Sequence, residues 1–187
     1  SEFSFTIVDA VCYQLPAVTS GLIVLLDPAN SESYDVADPT VWTNTIDDVE
    51  GVLINGPTFD RSVIGNIQFD GSNDYASLVR DNSDLTDGFT VVLWFNAQSL
   101  AASGYSNEGW LLNFGTYSPE FGMQPFGCSG STPGIASYGY GSGVNKWCDI
   151  QIAVDTWYQA VWRNNDDGTI DAWVNNQKDS TAASGYS

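Results

Sequence analysis

The chain has 187 residues, of which 43% are apolar and 13% aromatic, so it has enough apolar material for a compact domain. Its 23 acidic residues against 5 basic ones give a formal net charge of −18, which removes the electrostatic attraction that draws proteins to nucleic acids and anionic membranes. The chain has no histidine, which excludes Ser-His-Asp and Cys-His catalysis and histidine-ligated zinc. No apolar run reaches the roughly 18 residues of a membrane-spanning helix, so we expect no membrane insertion.

Short β-branched and aromatic runs recur along the chain between Gly, Asn, Asp and Pro residues, and helical periodicity is nearly missing. This pattern is typical of an antiparallel sandwich or barrel, so we predict an all-β fold. In chain order the predicted strands are Leu22–Leu26, Gly51–Ile54, Asn66–Phe69, Tyr75–Val79, Phe89–Phe95, Trp110–Phe114, Ile150–Val154, Trp157–Arg163 and Thr169–Val174.

Two of these predictions are specific enough to fix how the strands are placed. The run Phe89–Phe95 is apolar at almost every position, which predicts a central strand covered on both faces. Between Trp157–Arg163 and Thr169–Val174 stands Asn164–Gly168, whose residues tolerate left-handed backbone angles, so a hairpin is expected. Alternation along the hairpin predicts an apolar face and a wetter face. The apolar face holds Tyr158, Ala160, Trp162, Ile170, Ala172 and Val174, and the wetter face holds Gln159, Arg163, Thr169 and Asp171.

The segment Ala101–Trp147 is rich in Gly, Ser, Tyr and Phe and poor in charge, and it fits either long functional loops or irregular strands of the same fold. Cys128 and Cys148 could form a disulfide or remain free thiols, with Cys12 as the third cysteine. Aromatic rings beside polar groups suit a sugar-binding site. The candidate ligand-binding residues are Tyr105, Trp110, Tyr117, Tyr138, Tyr140 and Trp147.

The segment Ile67–Tyr75 reads Ile-Gln-Phe-Asp-Gly-Ser-Asn-Asp-Tyr. A strand ending in Phe69 would place an aromatic ring in the core, Asp70 and the following glycine would turn the chain, and Asp74 could accept backbone N–H bonds. The segment resembles the FDG-x-x-DY motif of laminin G-like domains in the concanavalin A-like lectin/glucanase superfamily. The resemblance spans roughly residues 20–178 and implies a two-sheet antiparallel jelly-roll sandwich.

The resemblance also suggests a metal site and a domain organisation. Some relatives hold Ca²⁺ in loops at a sheet edge, and Asp70, Asn73 and Asp74 supply hard oxygen ligands, so these three residues are the candidate Ca²⁺ ligands. We expect residues 1–19 to form an N-terminal strand or arm and residues 20–187 to form the domain.

The sequence departs from the family pattern in two places. Asn175-Asn176 stands where relatives usually have Asn-Gly, which is still a tolerable left-handed turn. The chain also stops at Ser187, where the family commonly continues. Either the sequence is truncated, or a strand at Phe3–Val11 closes the sheet, with pairing to a neighbouring subunit as one route.

Catalysis is not expected, because the E-x-D-x-x-E pattern of the superfamily's glycoside hydrolases does not occur. The segments Leu26–Tyr34, Leu53–Asp60 and Phe69–Tyr75, with Trp42 between the first two, resemble domains of bacteriophage structural proteins. We therefore expect a multicopy, homo-oligomeric viral structural protein on the virion surface, such as a capsid decoration or tail fibre protein that aids host attachment. The alternative is an extracellular carbohydrate-binding lectin module that recognises a cell-surface glycan, with or without Ca²⁺.

Overall fold

The structure is a computed structural model that describes residues 20–61, 65–79, 88–99, 111–114, 121–128, 132–139, 143–147, 150–165 and 169–179. This part of the chain is all-β and antiparallel, and it contains no helix that could cross a membrane. Its strands are β1 Val41–Thr43, β2 Glu50–Ile54, β3 Thr58–Asp60, β4 Asn66–Gln68, β5 Tyr75–Leu78, β6 Phe89–Asn96, β7 Leu112–Phe114, β8 Phe121–Cys128, β9 Thr132–Gly139, β10 Gly143–Trp147, β11 Trp157–Asn164, β12 Ile170–Val174 and β13 Gln177–Lys178.

The chain divides into two compact units, Ser1–Asp84 and Leu85–Ser187. In the N-terminal unit, β1, β2 and β5 form a sheet in the order β1-β2-β5, and β3 pairs with β4. Trp42 lies opposite Gly51 in this sheet, and a Cβ atom at Gly51 would stand 2.9 Å from the Trp42 carbonyl oxygen. Glycine, which has no Cβ atom, therefore allows β1 and β2 to approach each other closely at this position. The expected arm at residues 1–19, with Cys12 and Phe3–Val11, lies outside the described residues.

The predicted strand Leu22–Leu26 is wrong, because this segment forms no strand ladder. The side chain of the fully buried Asn44 takes the place of a neighbouring strand. Its Oδ1 accepts the Leu25 N–H at 2.7 Å, and its Nδ2 donates to the Ile23 carbonyl at 2.9 Å. The Thr45 N–H donates to the Leu25 carbonyl at 3.1 Å. One amide side chain thus satisfies backbone groups that a β-ladder would otherwise pair.

In the C-terminal unit the described strands form two four-stranded sheets, ordered β10-β9-β8-β7 and β13-β12-β11-β6. Of the two alternatives for Ala101–Trp147, strands are found wherever the structure describes the segment beyond Leu111. Cys128 ends β8, whereas Cys148 lies outside the described residues, so their pairing stays a prediction.

The core of the C-terminal unit draws on both of these sheets. Trp162 of β11 and Ile135 of β9 are fully buried within it. Phe89 packs edge-to-face on Trp162 with ring centroids 5.5 Å apart, an arrangement that aromatic pairs favour. The other buried members of the cluster are Phe95, Ile150, Ile152, Ala160, Ile170, Ala172 and Val174.

The predicted hairpin between residues 157 and 174 is confirmed, because β11 and β12 pair antiparallel with Trp162 opposite Ala172 and Arg163 opposite Asp171. Five of the six residues of the predicted apolar face are buried, and the sixth, Tyr158, is partly buried against the core. The left-handed turn predicted at Asn175-Asn176 is also confirmed, with φ angles of 49° and 66°, and it joins β12 to β13. Asn175 Oδ1 accepts the Gln159 N–H at 2.9 Å, which ties this turn to β11.

Two other strand predictions are corrected. β6 is not a central strand covered on both faces, because it stands at the end of its described sheet and its residues alternate between covered and exposed. Two of its four outward positions, Val92 and Trp94, carry large apolar side chains. Ile150–Val154 forms no strand, although Ile150 and Ile152 are buried in the core. This segment is held instead by the Tyr158 hydroxyl, which accepts the Ala153 N–H at 2.9 Å.

Asn44→Ala is expected to destabilise the N-terminal unit, because it removes the partner of the Leu25 N–H and of the Ile23 carbonyl. A buried polar group left unpaired costs about 1–3 kcal/mol, so we expect the free energy of unfolding to fall by about 2–4 kcal/mol. Urea denaturation followed by circular dichroism measures this loss. The control Asn96→Ala replaces an exposed asparagine of β6 and should change stability by less than about 0.5 kcal/mol. Equal stability of Asn44→Ala and the wild type would contradict this role.

Candidate functional site

The turn between β4 and β5 is closed by two carboxylates that face the backbone. Asp70 Oδ1 accepts the N–H groups of Ser72, Asn73 and Asp74 at 2.8, 3.2 and 3.4 Å. Asp74 Oδ2 in turn accepts the Asp70 N–H at 3.0 Å. The prediction that Asp70 turns the chain and that Asp74 accepts a backbone N–H bond is therefore confirmed. The bonds from Ser72 and Asn73, which favour the ionised form, lower the pKa of Asp70 below its ordinary value.

The predicted calcium ligands lie together in this turn. One oxygen of Asp70 and one of Asp74 are already engaged by backbone N–H groups, and the Asn73 carbonyl accepts the Asn55 side-chain amide at 2.6 Å. Among the described residues, no group of three or more Cys, Asp or Glu side chains is placed to hold a metal ion. Calcium binding by Asp70, Asn73 and Asp74 stays a prediction.

The aromatic residues that flank this turn are not in the core, so the prediction of a core position for Phe69 is wrong. Phe69 is 45% exposed and Tyr75 is 50% exposed. The physical reason is their position: β4 pairs only with β3 among the described strands, and β5 ends the sheet β1-β2-β5. The core of this unit contains Tyr34 and Leu53 instead, with the Tyr34 ring 4.9 Å from that of Phe59.

The predicted ligand-binding aromatics fall largely on residues that the structure does not describe. Tyr105, Trp110, Tyr117 and Tyr140 lie outside the described residues. Tyr138 belongs to β9, where it pairs with Val144, and Trp147 belongs to β10, where it pairs with Ile135. Their role in ligand binding stays a prediction.

A different group of aromatic residues shares the outward face of the sheet β13-β12-β11-β6. Alternation along β6, β11 and β12 turns one set of side chains to the core and the other away from it. The pairing places Trp94 opposite Gln159, and Val161 between Val92 and Trp173. We call this surface the outer tryptophan face and define it by Trp94, Trp157, Trp173, Val92 and Val161.

The outer tryptophan face is accessible on β6 and partly covered on the inner strands. Trp94 is 64% exposed and Val92 is 55% exposed, whereas Trp157, Val161 and Trp173 are half-buried. Large apolar side chains gathered on one sheet face are a feature of interaction surfaces rather than of ordinary solvated strands. The sequence did contain a signal for this face, the alternation Val92, Trp94 and Asn96, but an almost continuous apolar run conceals which positions point outward.

Three charged residues border the outer tryptophan face. Asp171 pairs with Arg163 through one oxygen and with Lys178, 2.6 Å away, through the other. Both cations also stand over the Trp173 ring, with the Arg163 guanidinium 5.3 Å and the Lys178 ammonium 5.5 Å from the ring centroid. Such stacking is favourable and orients the charged groups. The hydrogen bonds from Lys178 and then Arg163 lower the pKa of Asp171 from 3.8 to about 2.

The comparisons with known proteins give no relative for this chain. No family model matches it, and the searches of curated proteins and of solved structures found no match.

Asp70→Ala is expected to lower the melting temperature by a few degrees, because three N–H groups of the turn lose their acceptor. Asp70→Asn, which retains a side-chain oxygen in the same position, should restore most of the loss. Differential scanning calorimetry compares the three proteins.

The same proteins test calcium binding. A rise in melting temperature at millimolar Ca²⁺ that Asp70→Ala abolishes supports the site, and no rise in the wild type contradicts it.

Asp171→Asn is expected to remove stability that depends on pH. Because the pKa of Asp171 is lowered on folding from 3.8 to about 2, the ion pairs stabilise the protein above about pH 4, and this contribution is lost as the pH falls through about 2. The partners are about half exposed, so solvent screening limits the contribution to about 1 kcal/mol.

Denaturant unfolding at about pH 6 and about pH 2 measures the difference between the wild type and Asp171→Asn, which should shrink at the lower pH. The matched control is Asp155→Asn, an exposed carboxylate at a left-handed position that asparagine tolerates. A difference that is the same at both pH values would show that the ion pairs do not carry it.

Proposed function

We propose that this chain is a non-enzymatic structural protein of a virion surface, present in many copies as a decoration or fibre protein that aids attachment to a host. In this proposal its strands form a concanavalin A-like, laminin G-like jelly-roll sandwich, which goes beyond the antiparallel all-β architecture described above. Its partners are other surface proteins and further copies of itself. An extracellular location off the particle is the alternative.

The observation that carries the proposal is the outer tryptophan face. Single exposed apolar residues are ordinary on protein surfaces, but Trp94 and Val92 are adjacent outward positions on one strand and lie beside Val161 and Gln159 on the next. A chain that kept this surface in water without using it would risk aggregation. Attachment to a host surface gives this face a function.

The resemblance of Ile67–Tyr75 to the laminin G-like motif supports the same proposal. The described turn is held by Asp70 and Asp74, the two acidic residues of the motif, through backbone hydrogen bonds. The charge of −18 supports a surface location, since mutual repulsion keeps copies of the protein soluble unless a specific contact overcomes it.

Immunogold labelling of particles purified from the source material, with antibodies against this chain, tests the virion proposal. We expect gold at regular positions on the capsid, tail or fibre, and purified chain that co-sediments with particles stripped of it. A matched pre-immune serum and an unrelated acidic protein are the controls. A monomeric chain that neither labels nor binds the particles would contradict the proposal.

A second function, a carbohydrate-binding lectin module, is favoured by the chemistry of the outer tryptophan face. Exposed tryptophan beside amide and charged side chains is the combination that sugar-binding surfaces use. The two functions are compatible, because many weakly binding copies on one particle attach strongly through multivalency.

A further inference from the structure

We infer that the outer tryptophan face is a binding site for an uncharged polysaccharide strand. The inference rests on the lectin function proposed above and assigns its site to β6, β11 and β12 instead of the predicted ligand-binding aromatics of Ala101–Trp147. It does not depend on the virion proposal.

Stacking surface for sugar rings is the first requirement, and Trp94 meets it. Its indole is 64% exposed on the outward side of β6, and the β6 residues on either side of it, Leu93 and Phe95, face the core. The backbone that carries the ring is therefore held by core packing while the ring stays accessible. A pyranose ring has an apolar C–H face that packs on an indole, and a rigid aromatic side chain loses little conformational entropy on binding.

Hydrogen-bonding groups for sugar hydroxyls stand beside that ring. Gln159 is directly opposite Trp94 on β11, and Asn96 is the next outward residue on β6, opposite Trp157. Side-chain amides both donate and accept hydrogen bonds, as sugar hydroxyl groups do. At the other end of the face, Asp171 offers acceptors and Arg163 offers donors, and both are fixed by their mutual pairing.

The dimensions of the face suit a narrow ligand better than a protein. Four outward positions along a strand span about 20 Å, and the three strands span about 10 Å, which gives an area of a few hundred Å² at most. A stable protein–protein interface needs about 800 Å² from each partner. A single polysaccharide chain lying across or along the β-strands needs only a shallow strip of this size that carries aromatic side chains.

The charge distribution favours an uncharged polysaccharide over an acidic one. The chain carries a net charge of −18, so a polyanion is repelled at long range. The two cations at the face, Arg163 and Lys178, are already engaged by Asp171 and by the Trp173 ring. An uncharged polysaccharide chain meets no such repulsion and does not need a free cation to bind.

Isothermal titration calorimetry and affinity electrophoresis of the full chain test the inference against soluble β-glucan, mannan, xylan and dextran, each with its carboxymethylated form. We expect binding to at least one uncharged polymer and weaker binding to its carboxymethylated form. Trp94→Ala should weaken the affinity about tenfold or more, equivalent to about 1.4 kcal/mol, and Trp94→Phe should retain most of it. The matched control Phe69→Ala removes a half-exposed aromatic ring from the other unit and should leave binding unchanged.

The possible results separate the site from the function. Binding by the wild type that Trp94→Ala does not weaken overturns the site and leaves the lectin function standing. Absence of binding to every polymer, uncharged or carboxymethylated, overturns both, and binding only to carboxymethylated polymers overturns the uncharged ligand. Sedimentation of the wild type and Trp94→Ala identifies a competing occupant: self-association that the variant abolishes, without polysaccharide binding, assigns the face to a second copy of the chain.

Discussion

The pairing of β11 with both β6 and β12 is the interaction on which the C-terminal unit depends. This register places Trp162 opposite Val91 on one side and Ala172 on the other, so the largest buried ring sits between smaller neighbours. A shift of one residue would turn Trp162 to water and bring Val161 into the core. The register that places Trp162 in the core therefore also places the outward tryptophans on one face. A change of register would alter both faces of the sheet.

The sequence predicted those parts of the fold in which local chemistry decides the structure. The hairpin of β11 and β12 follows from strict alternation and turn residues, and the Asn175-Asn176 turn follows from the tolerance of asparagine for left-handed angles. The turn at Asp70 and the backbone N–H bond that Asp74 accepts follow from the short reach of an aspartate side chain in a turn. In each case the residues that decide the outcome are near neighbours in sequence.

Tertiary context explains those predictions that were wrong. Leu22–Leu26 has the composition of a strand, yet its polar backbone groups are met by Asn44, a residue some twenty positions away. Phe69 was predicted to lie in the core, but it follows β4, which pairs only with β3 among the described strands, and its side chain is exposed. Within an almost continuous apolar run, the sequence does not show which side chains point outward, so it could not distinguish an exposed Trp94 from a buried one. The candidate site was therefore found only from the structure.

Because tryptophans lie on both faces of one sheet, their fluorescence should differ with the face on which they lie. Trp162 sits in a fully dry environment, while Trp94, carried by the neighbouring strand, is largely hydrated. An indole emits at longer wavelength when water can relax around its excited state, so the two rings contribute to opposite ends of the emission band. Among the seven tryptophans, soluble quenchers would therefore reach Trp94 readily and spare Trp162.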